Sequence, residues 1–383
     1  MFDFINDKNV SLMLRLSAEA RSLSVDDFCD VDMEELYKLC LEHELHGVVA
    51  SHILRDGIIE LPEYWHQAYE KEQARLEFLK AKSAEICSLM RAEGIPMIIL
   101  KNGGIMTDIV SDAAACPMED IDSLVRKSDF LQAHGILINN GFNFKFRSEF
   151  EKEILDGAFA DGSTEYYILM PDGEKMWFEL SWRAVAGRWI RPDKEPPTDA
   201  LFERCYFSDG TDVGILSPED NLLQVCIHTA KHSYVRSPGL RLHLDVDRIV
   251  SNKQIDWDIF IERVEQTHVK TSTYYSLMIP KVLFGTNVPD AVLNRLKPRK
   301  SKAKKIEKLL GRAGLLHPAG RKFSKFSFLR FQTSLYDSVK DMLRVLYPSY
   351  GWYKTRYGIK NAIALPYYII LRGLDLVGIR KKK

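Results

Sequence analysis

Disulfide chemistry, a metal-finger framework and a membrane span are the first things this sequence lacks. Its six cysteines (Cys29, Cys40, Cys87, Cys116, Cys205 and Cys226) are scattered along 383 residues without a single Cys-x-x-Cys pair. That spacing excludes a zinc ribbon and a disulfide scaffold, and it reads as mostly buried free thiols of a reducing compartment. No apolar run reaches the roughly 18–20 residues that a bilayer demands. The nearest, NAIALPYYIILRGLDLVGI, is interrupted by Pro366, Arg372 and Asp375. The first residues, MFDFINDKNV, carry acids where a secretory leader has basic residues before an apolar core. The expected location is cytoplasmic. Acidic residues are also scarce in one region. Residues 297–383 hold 22 Lys/Arg and 4 Asp/Glu, which leaves 53 − 22 = 31 and 53 − 4 = 49 for residues 1–296. A body near −18 thus carries a tail near +18, although the whole chain is neutral. Such a tail suits an anionic partner, a membrane surface or polyanion, or docking on the body.

What is present is a soluble globular composition, 46% hydrophobic and 28% charged. Residues 1–60 read as helical, and 64–93 as a longer helix with Leu76, Leu79, Ile86, Leu89 and Met90 on one stripe, capped by Gly94. MIILK (97–101) reads as a strand, NGG (102–104) as a turn and IMTDIV as a helix start. SDAAACP reads as a loop, IDSLV as a strand, 128–139 as a helix and FNFKF as a further strand. TEYYILM-PDGE-KMWFELSW has the form of a hairpin, because glycine supplies the positive φ its turn needs. Beyond it the chain reads as helices. Ser217 is an N-cap, Pro218 sits at N1 and Asp220 at N3. The basic run KPRKSKAKK (297–305) has the composition of an exposed linker or arm. RKFSKFSFLRF (321–331) could bind nucleic acid or anionic lipid, but the reading adopted is a helical region that buries its aromatics.

The segment MEDIDSLV poses the chemical question. Asp120 and Asp122 are two residues apart, so on a strand they point to the same side. Like charges so close repel unless a cation holds them. Glu179, between Phe178 and Leu180, is a further acid in an apolar strand. A strand ending in Gly-Gly, an Asp-x-Asp strand and a later acid-bearing strand together resemble the nucleotidyltransferases of the DNA polymerase β superfamily. The chain looks closer still to the uncharacterised nucleotidyltransferase family of bacterial proteins. Members of that family read Leu-Lys-Gly, then Arg-Pro-Met-x-Asp-Ile-Asp-x-Leu-Val, Asp-Leu-His-Trp, Pro-Glu-Asp-x-Leu-Leu and His-x-x-x-His. Here the corresponding residues are Leu100-Lys101 with Gly103-Gly104, Pro117 to Val125, Glu179-Leu180-Ser181-Trp182, Pro218 to Leu223, and His228 to His232. The resemblance covers roughly residues 30–260. Four departures stand out: an inserted Asn102, Cys116 for the usual Arg, Glu179 for Asp, and Ser181 for His.

The resemblance implies an α+β fold with a polymerase β-type mixed sheet flanked by helices. It divides the chain into an N-terminal helical region (1–93), a catalytic core (94–215), a helical wall of the nucleotide cleft (216–296) and a basic helical C-terminal region (297–383). The implied reaction transfers a nucleoside monophosphate from an NTP to an acceptor hydroxyl. Two Mg²⁺ ions, about 4 Å apart, are held by oxygen ligands. Asp120, Asp122 and Glu179 would be the metal-binding and catalytic carboxylates. Gly103 and Gly104 would admit the triphosphate to a helix N-terminus, with Lys101 and Lys231 as phosphate contacts. The acceptor is open: sugar, lipid-linked saccharide, protein or RNA. The competing reading is a catalytically silent nucleotide-binding or regulatory module. Several acids and histidines are read as structural. Glu119 is a surface acid. Asp245 and Asp247 belong to a helix. His228 and His232 share a helix face for packing, with no zinc.

Overall fold

The computed structural model describes residues 3–21, 23–148, 153–185, 190, 192–347, 350–359 and 361–377. Its centre is a seven-stranded mixed sheet. The strands are β1 (Met97–Ile99), β2 (Asp120–Leu124), β3 (Asn143–Phe144), β4 (Ser163–Leu169), β5 (Lys175–Ser181), β6 (Tyr206–Phe207) and β7 (Val213–Ile215). Their spatial order is β3-β4-β5-β2-β1-β7-β6. β2 and β5 run parallel, as do β1 and β7, and the other neighbours are antiparallel. The expected α+β architecture is therefore the observed one.

Alternation along the central strands decides which face is core. Ile121 on β2 and Phe178 and Leu180 on β5 are fully buried. Each contributes about 1.5–3 kcal/mol relative to exposure. Asp120, Asp122, Trp177 and Glu179 occupy the opposite parity and share the other face. The helix Glu63–Ala92 leads into β1 and buries Leu76, Leu79, Ile86 and Met90. Gly94, at φ +77°, reverses the chain after it. The later helices Pro218–Lys231, Arg241–Asn252, Trp257–Thr267 and Lys270–Phe284 pack on one another. Ser217 caps the first of them by accepting from the Asp220 N–H at 3.3 Å. The main apolar core is continuous from Val10 to Leu335.

Four local expectations need correction. Asn102-Gly103-Gly104 is not a turn, because a helix already begins at Lys101 and runs to Asp108. The strand before it stops at Ile99, since Leu100 and Lys101 turn the chain into that helix. Of FNFKF, only Asn143 and Phe144 pair with β4. The run 297–305 is no free arm either. Most of it forms the helix Lys300–Ala313, and Lys302 Nζ donates to Thr271 Oγ1 (2.8 Å) and to the Tyr336 carbonyl (2.7 Å). Its positive charges line the helix, while Ala303, Ile306, Leu309 and Leu310 are buried. Among the described residues, no helix is long and apolar enough to cross a membrane.

Candidate active site

Register assembles the acids. β2 and β5 lie side by side and parallel, with Asp122 opposite Glu179 and Asp120 opposite Trp177. Three carboxylate oxygens, one each from Asp120, Asp122 and Glu179, consequently lie within 4.8 Å of one another. Asp122 is buried, and Asp120 and Glu179 are half-buried. Such a cluster is electrostatically expensive by itself. Burial raises the pKa of Asp120, and the neighbouring charge of Asp122 raises it further against Arg147 and Lys101. Burial likewise raises Asp122, with Glu179 adding to it and Lys101 opposing.

Two basic side chains answer that charge. Lys101 Nζ reaches Asp122 Oδ1 at 2.6 Å. Burial alone would lower the Lys101 pKa, yet the attraction of Asp122, Glu179 and Asp120 carries it upward. Its backbone is unusual, at φ +53° in the left-handed region that side chains with a Cβ avoid. Leu100 is extended and the helix starts at once, so this one strained residue swings the lysine onto the sheet face. Arg147, which the motif reading missed, holds Asp120 at 2.5 Å and Glu165 at 3.1 Å, with its guanidinium 5.6 Å from the Trp177 ring centroid. Its signal was weak, since one arginine follows FNFKF at no family position. Lys231 ends the helix Pro218–Lys231. Crowding of its ammonium by neighbouring protein and the charge of Lys101 lower its pKa although the residue keeps solvent exposure, while Glu179, Asp122 and Glu195 pull it back, so the lysine sits within the field of the cluster. The pKa of His228 is held well below the ordinary histidine range by burial and by Lys101. Its ring meets His232 edge-on at 4.8 Å.

Gly103 and Gly104 serve a tighter purpose than a loop. A Cβ at Gly103 would come 2.6 Å from Ile99 Cγ2, and one at Gly104 would come 2.7 Å from the Ile99 carbonyl oxygen. Only glycine lets this helix lie so close to the strand that precedes it.

The segment before β2 is clamped from behind. Arg248 donates to the Ala115 carbonyl, Arg241 Nη1 to the Pro117 carbonyl at 2.5 Å, and Arg75 Nη2 to the Met118 carbonyl at 2.7 Å. The arginine missing at position 116 is thus not needed to order this loop. The four departures from the family pattern come as two contacting pairs. Cys116 Sγ donates to the Asn102 carbonyl at 3.4 Å, and Asn102 Nδ2 donates to Asp245 Oδ1 at 2.9 Å. Ser181 Oγ donates to Glu179 Oε1 at 3.1 Å and orients that carboxylate. Asp245 and Asp247 lie on a helix as expected and are buried away from the cluster; Glu119 is exposed.

Three hard oxygen donors with a lysine at hand suit a divalent cation such as Mg²⁺ or Mn²⁺ better than zinc, whose sites favour histidine and cysteine. Among the described residues this is the one group of acids, histidines and cysteines arranged to hold a metal. Comparison with known proteins agrees with that chemistry. The family described as "Uncharacterised nucleotidyltransferase" matches residues 30–285. No curated protein and no solved structure matches significantly.

Proposed function

Because the chain belongs to this uncharacterised nucleotidyltransferase family, we propose that it transfers a nucleoside monophosphate from an NTP to an acceptor hydroxyl, with Asp120, Asp122 and Glu179 as metal-binding and catalytic residues. The observation that carries the reading is the convergence of these three carboxylates within 4.8 Å on one sheet face. Two Mg²⁺ ions bound there would supply charge neutralisation for the phosphoryl oxygens and lower the pKa of the attacking hydroxyl. The residues divide the remaining work. Asp122, central to the cluster, would hold the ions together with Asp120 and Glu179. Glu179, oriented by Ser181, faces the acceptor oxygen and takes up its proton or passes it to solvent. The new bond joins that oxygen to the α-phosphorus, the bond from the α-phosphorus to the bridging oxygen breaks, and pyrophosphate leaves. Lys101 and Lys231 bind the triphosphate. Lys101 exchanges Asp122 for phosphate when the donor arrives, which a side chain already paired at 2.6 Å can do without refolding. The helix start at Lys101–Gly104 adds backbone N–H groups that favour an anion. The acceptor is a sugar, a lipid-linked saccharide, a protein or an RNA.

The test is incubation with each α-labelled NTP, Mg²⁺ and fractionated lysate. Label should enter one fraction with wild-type protein and none with Asp120→Asn or Asp122→Asn, both folded by circular dichroism. Transfer at wild-type rate by these variants would sink the assignment. Cys116 in place of the family arginine favours the second reading, a nucleotide-binding module without turnover. Tight Mg-NTP binding by calorimetry, with no pyrophosphate released in any fraction, would select it.

A further inference from the structure

We propose that two helices of the C-terminal region form a docking surface for an anionic lipid bilayer, lying flat on it rather than crossing. The segment RKFSKFSFLRF is not that surface. Phe331 is buried, Phe323 stacks on it at 5.1 Å, and that helix packs into the body. Its one strongly exposed aromatic, Phe326 at 73%, stands alone, and the exposed apolar side chains that form stripes lie further along. On the helix Val339–Leu346 and the residue after it, Val339, Leu343 and Tyr347 are 67%, 45% and 53% exposed. On the 3₁₀ turn Ala362–Ala364 and the helix Leu365–Val377 that follows it, Ile363, Tyr367 and Ile370 are 83%, 61% and 63% exposed. The spacings are i, i+4, i+8 and i, i+4, i+7, so each set forms a stripe on one face. Scattered exposed apolar residues mean little, but two stripes at helical period do. Arg372 Nε donates to the Leu346 carbonyl at 2.7 Å and ties the two helices together.

Charge chooses the occupant. Exposed Lys340 and Arg344 run beside the first apolar stripe, one position on. From Val339 to Val377 the sequence has two acids, Asp375 and the buried Asp341, against six basic residues (Lys340, Arg344, Lys354, Arg356, Lys360 and the buried Arg372), and Arg380–Lys383 adds four more. A second copy of the chain would have to bring one such surface against another like it. Two-fold symmetry sets each patch against itself, and like charges would oppose it. A nucleic acid would satisfy the charge but leave Ile363, Val339 and Ile370 in water. An anionic bilayer satisfies both. Apolar side chains enter the acyl boundary, tyrosines sit at the interface, and lysines and arginines meet the headgroups. The body, near −18 by the same count of charges, is repelled from that surface and held above it.

The test is co-sedimentation of the full chain with phosphatidylcholine vesicles containing or lacking phosphatidylglycerol, without nucleotide, so that its outcome is independent of catalysis. Binding is expected on the anionic vesicles, and it should fall about tenfold or more at high salt. The variant Ile363→Ser/Tyr367→Ser/Ile370→Ser should lose about tenfold or more in affinity, and Val339→Ser/Leu343→Ser a similar amount, since each removes buried apolar area. All the changed side chains are exposed, so melting temperatures should match wild type. Lys340→Glu/Arg344→Glu separates the charge contribution from the apolar one. Equal binding by wild type and both stripe variants would overturn the proposal, as would binding to heparin but to neither vesicle. A concentration-dependent dimer abolished by the stripe substitutions would reassign the surface to a contact between copies.

Discussion

The chain contains Asp-x-Asp four times, and two of the copies have opposite fates. Asp120 and Asp122 are on a strand, so their side chains point the same way and converge with Glu179. Asp245 and Asp247 are on the helix Arg241–Asn252, where two positions are about 200° apart and the side chains diverge. Asp245 accepts from Asn102 at 2.9 Å beside Arg241 and Arg248. Asp247 accepts from the Glu19 N–H at 3.0 Å and from Thr286 Oγ1 at 2.7 Å. Burial raises the pKa of all four. The difference lies in the answering groups. Around Asp245 and Asp247 they are Asn102, Thr286 and a backbone N–H. Around Asp120 and Asp122 they are the cationic side chains of Arg147 and Lys101. Identical spacing thus builds a candidate metal site on a strand and a brace on a helix, because the backbone period sets which way the side chains point.

The largest effect that sharpens this contrast belongs to the strand pair. Asp122→Asn should lower transfer by about a thousandfold or more, since removing one group that stabilises a charged transition state costs two to three orders of magnitude and this carboxylate is central to the proposed metal site. Steady-state release of pyrophosphate measures it, and stability should change little. The brace should behave in the reverse way. Arg248→Ala leaves Asp245 and the Ala115 carbonyl without a fully buried partner, and stability should fall by about 3–5 kcal/mol in urea unfolding. A loss near zero would show that the rear network is ornamental.

Smaller tests probe the geometry between the two. Gly104→Ala puts a Cβ 2.7 Å from the Ile99 carbonyl. It should cost about 1–3 kcal/mol by the same assay, and the donor KM should rise because Lys101 shifts with the helix. Lys101→Met should raise donor KM more than it lowers kcat. The smallest effect is one of pH. Burial first, then mutual repulsion, lifts the Asp120 carboxyl above the ordinary range, and burial with Glu179 lifts Asp122. Protons therefore compete for these oxygens at higher pH than they would for an exposed aspartate. Mn²⁺ affinity should climb with pH through that raised window and level off once both are ionised, and chelation should reverse the binding. Affinity already flat from the ordinary aspartate range upward would contradict the clustering.

Much of the centre was legible before any fold was known. Asp120 and Asp122 announced themselves because a strand has period two and the flanking residues, Ile121, Leu124 and Val125, are apolar. Glu179 was legible only through the hairpin that ends beside it and the family pattern. Arg147 was not, because its contact with Asp120 spans 27 positions and no local pattern marks it. The Gly-Gly pair misled. Two glycines read as a turn, but here a strained Lys101 starts a helix that needs them to approach Ile99. The basic run at 297 misled for a different reason. Composition favours exposure, yet Ala303, Ile306 and Leu310 at helical spacing found a core to bury against.

Local period and composition were enough for the carboxylate strand, the asymmetric charge and the helices that flank the sheet. Packing across the chain brought Glu179 into register with Asp122, set Lys101 and Arg147 against the cluster, and put three arginines on the loop feeding β2. Such contacts join residues tens to more than a hundred positions apart. Their energy comes from burial and charge pairing across elements, and neither is encoded in any neighbouring stretch of chain.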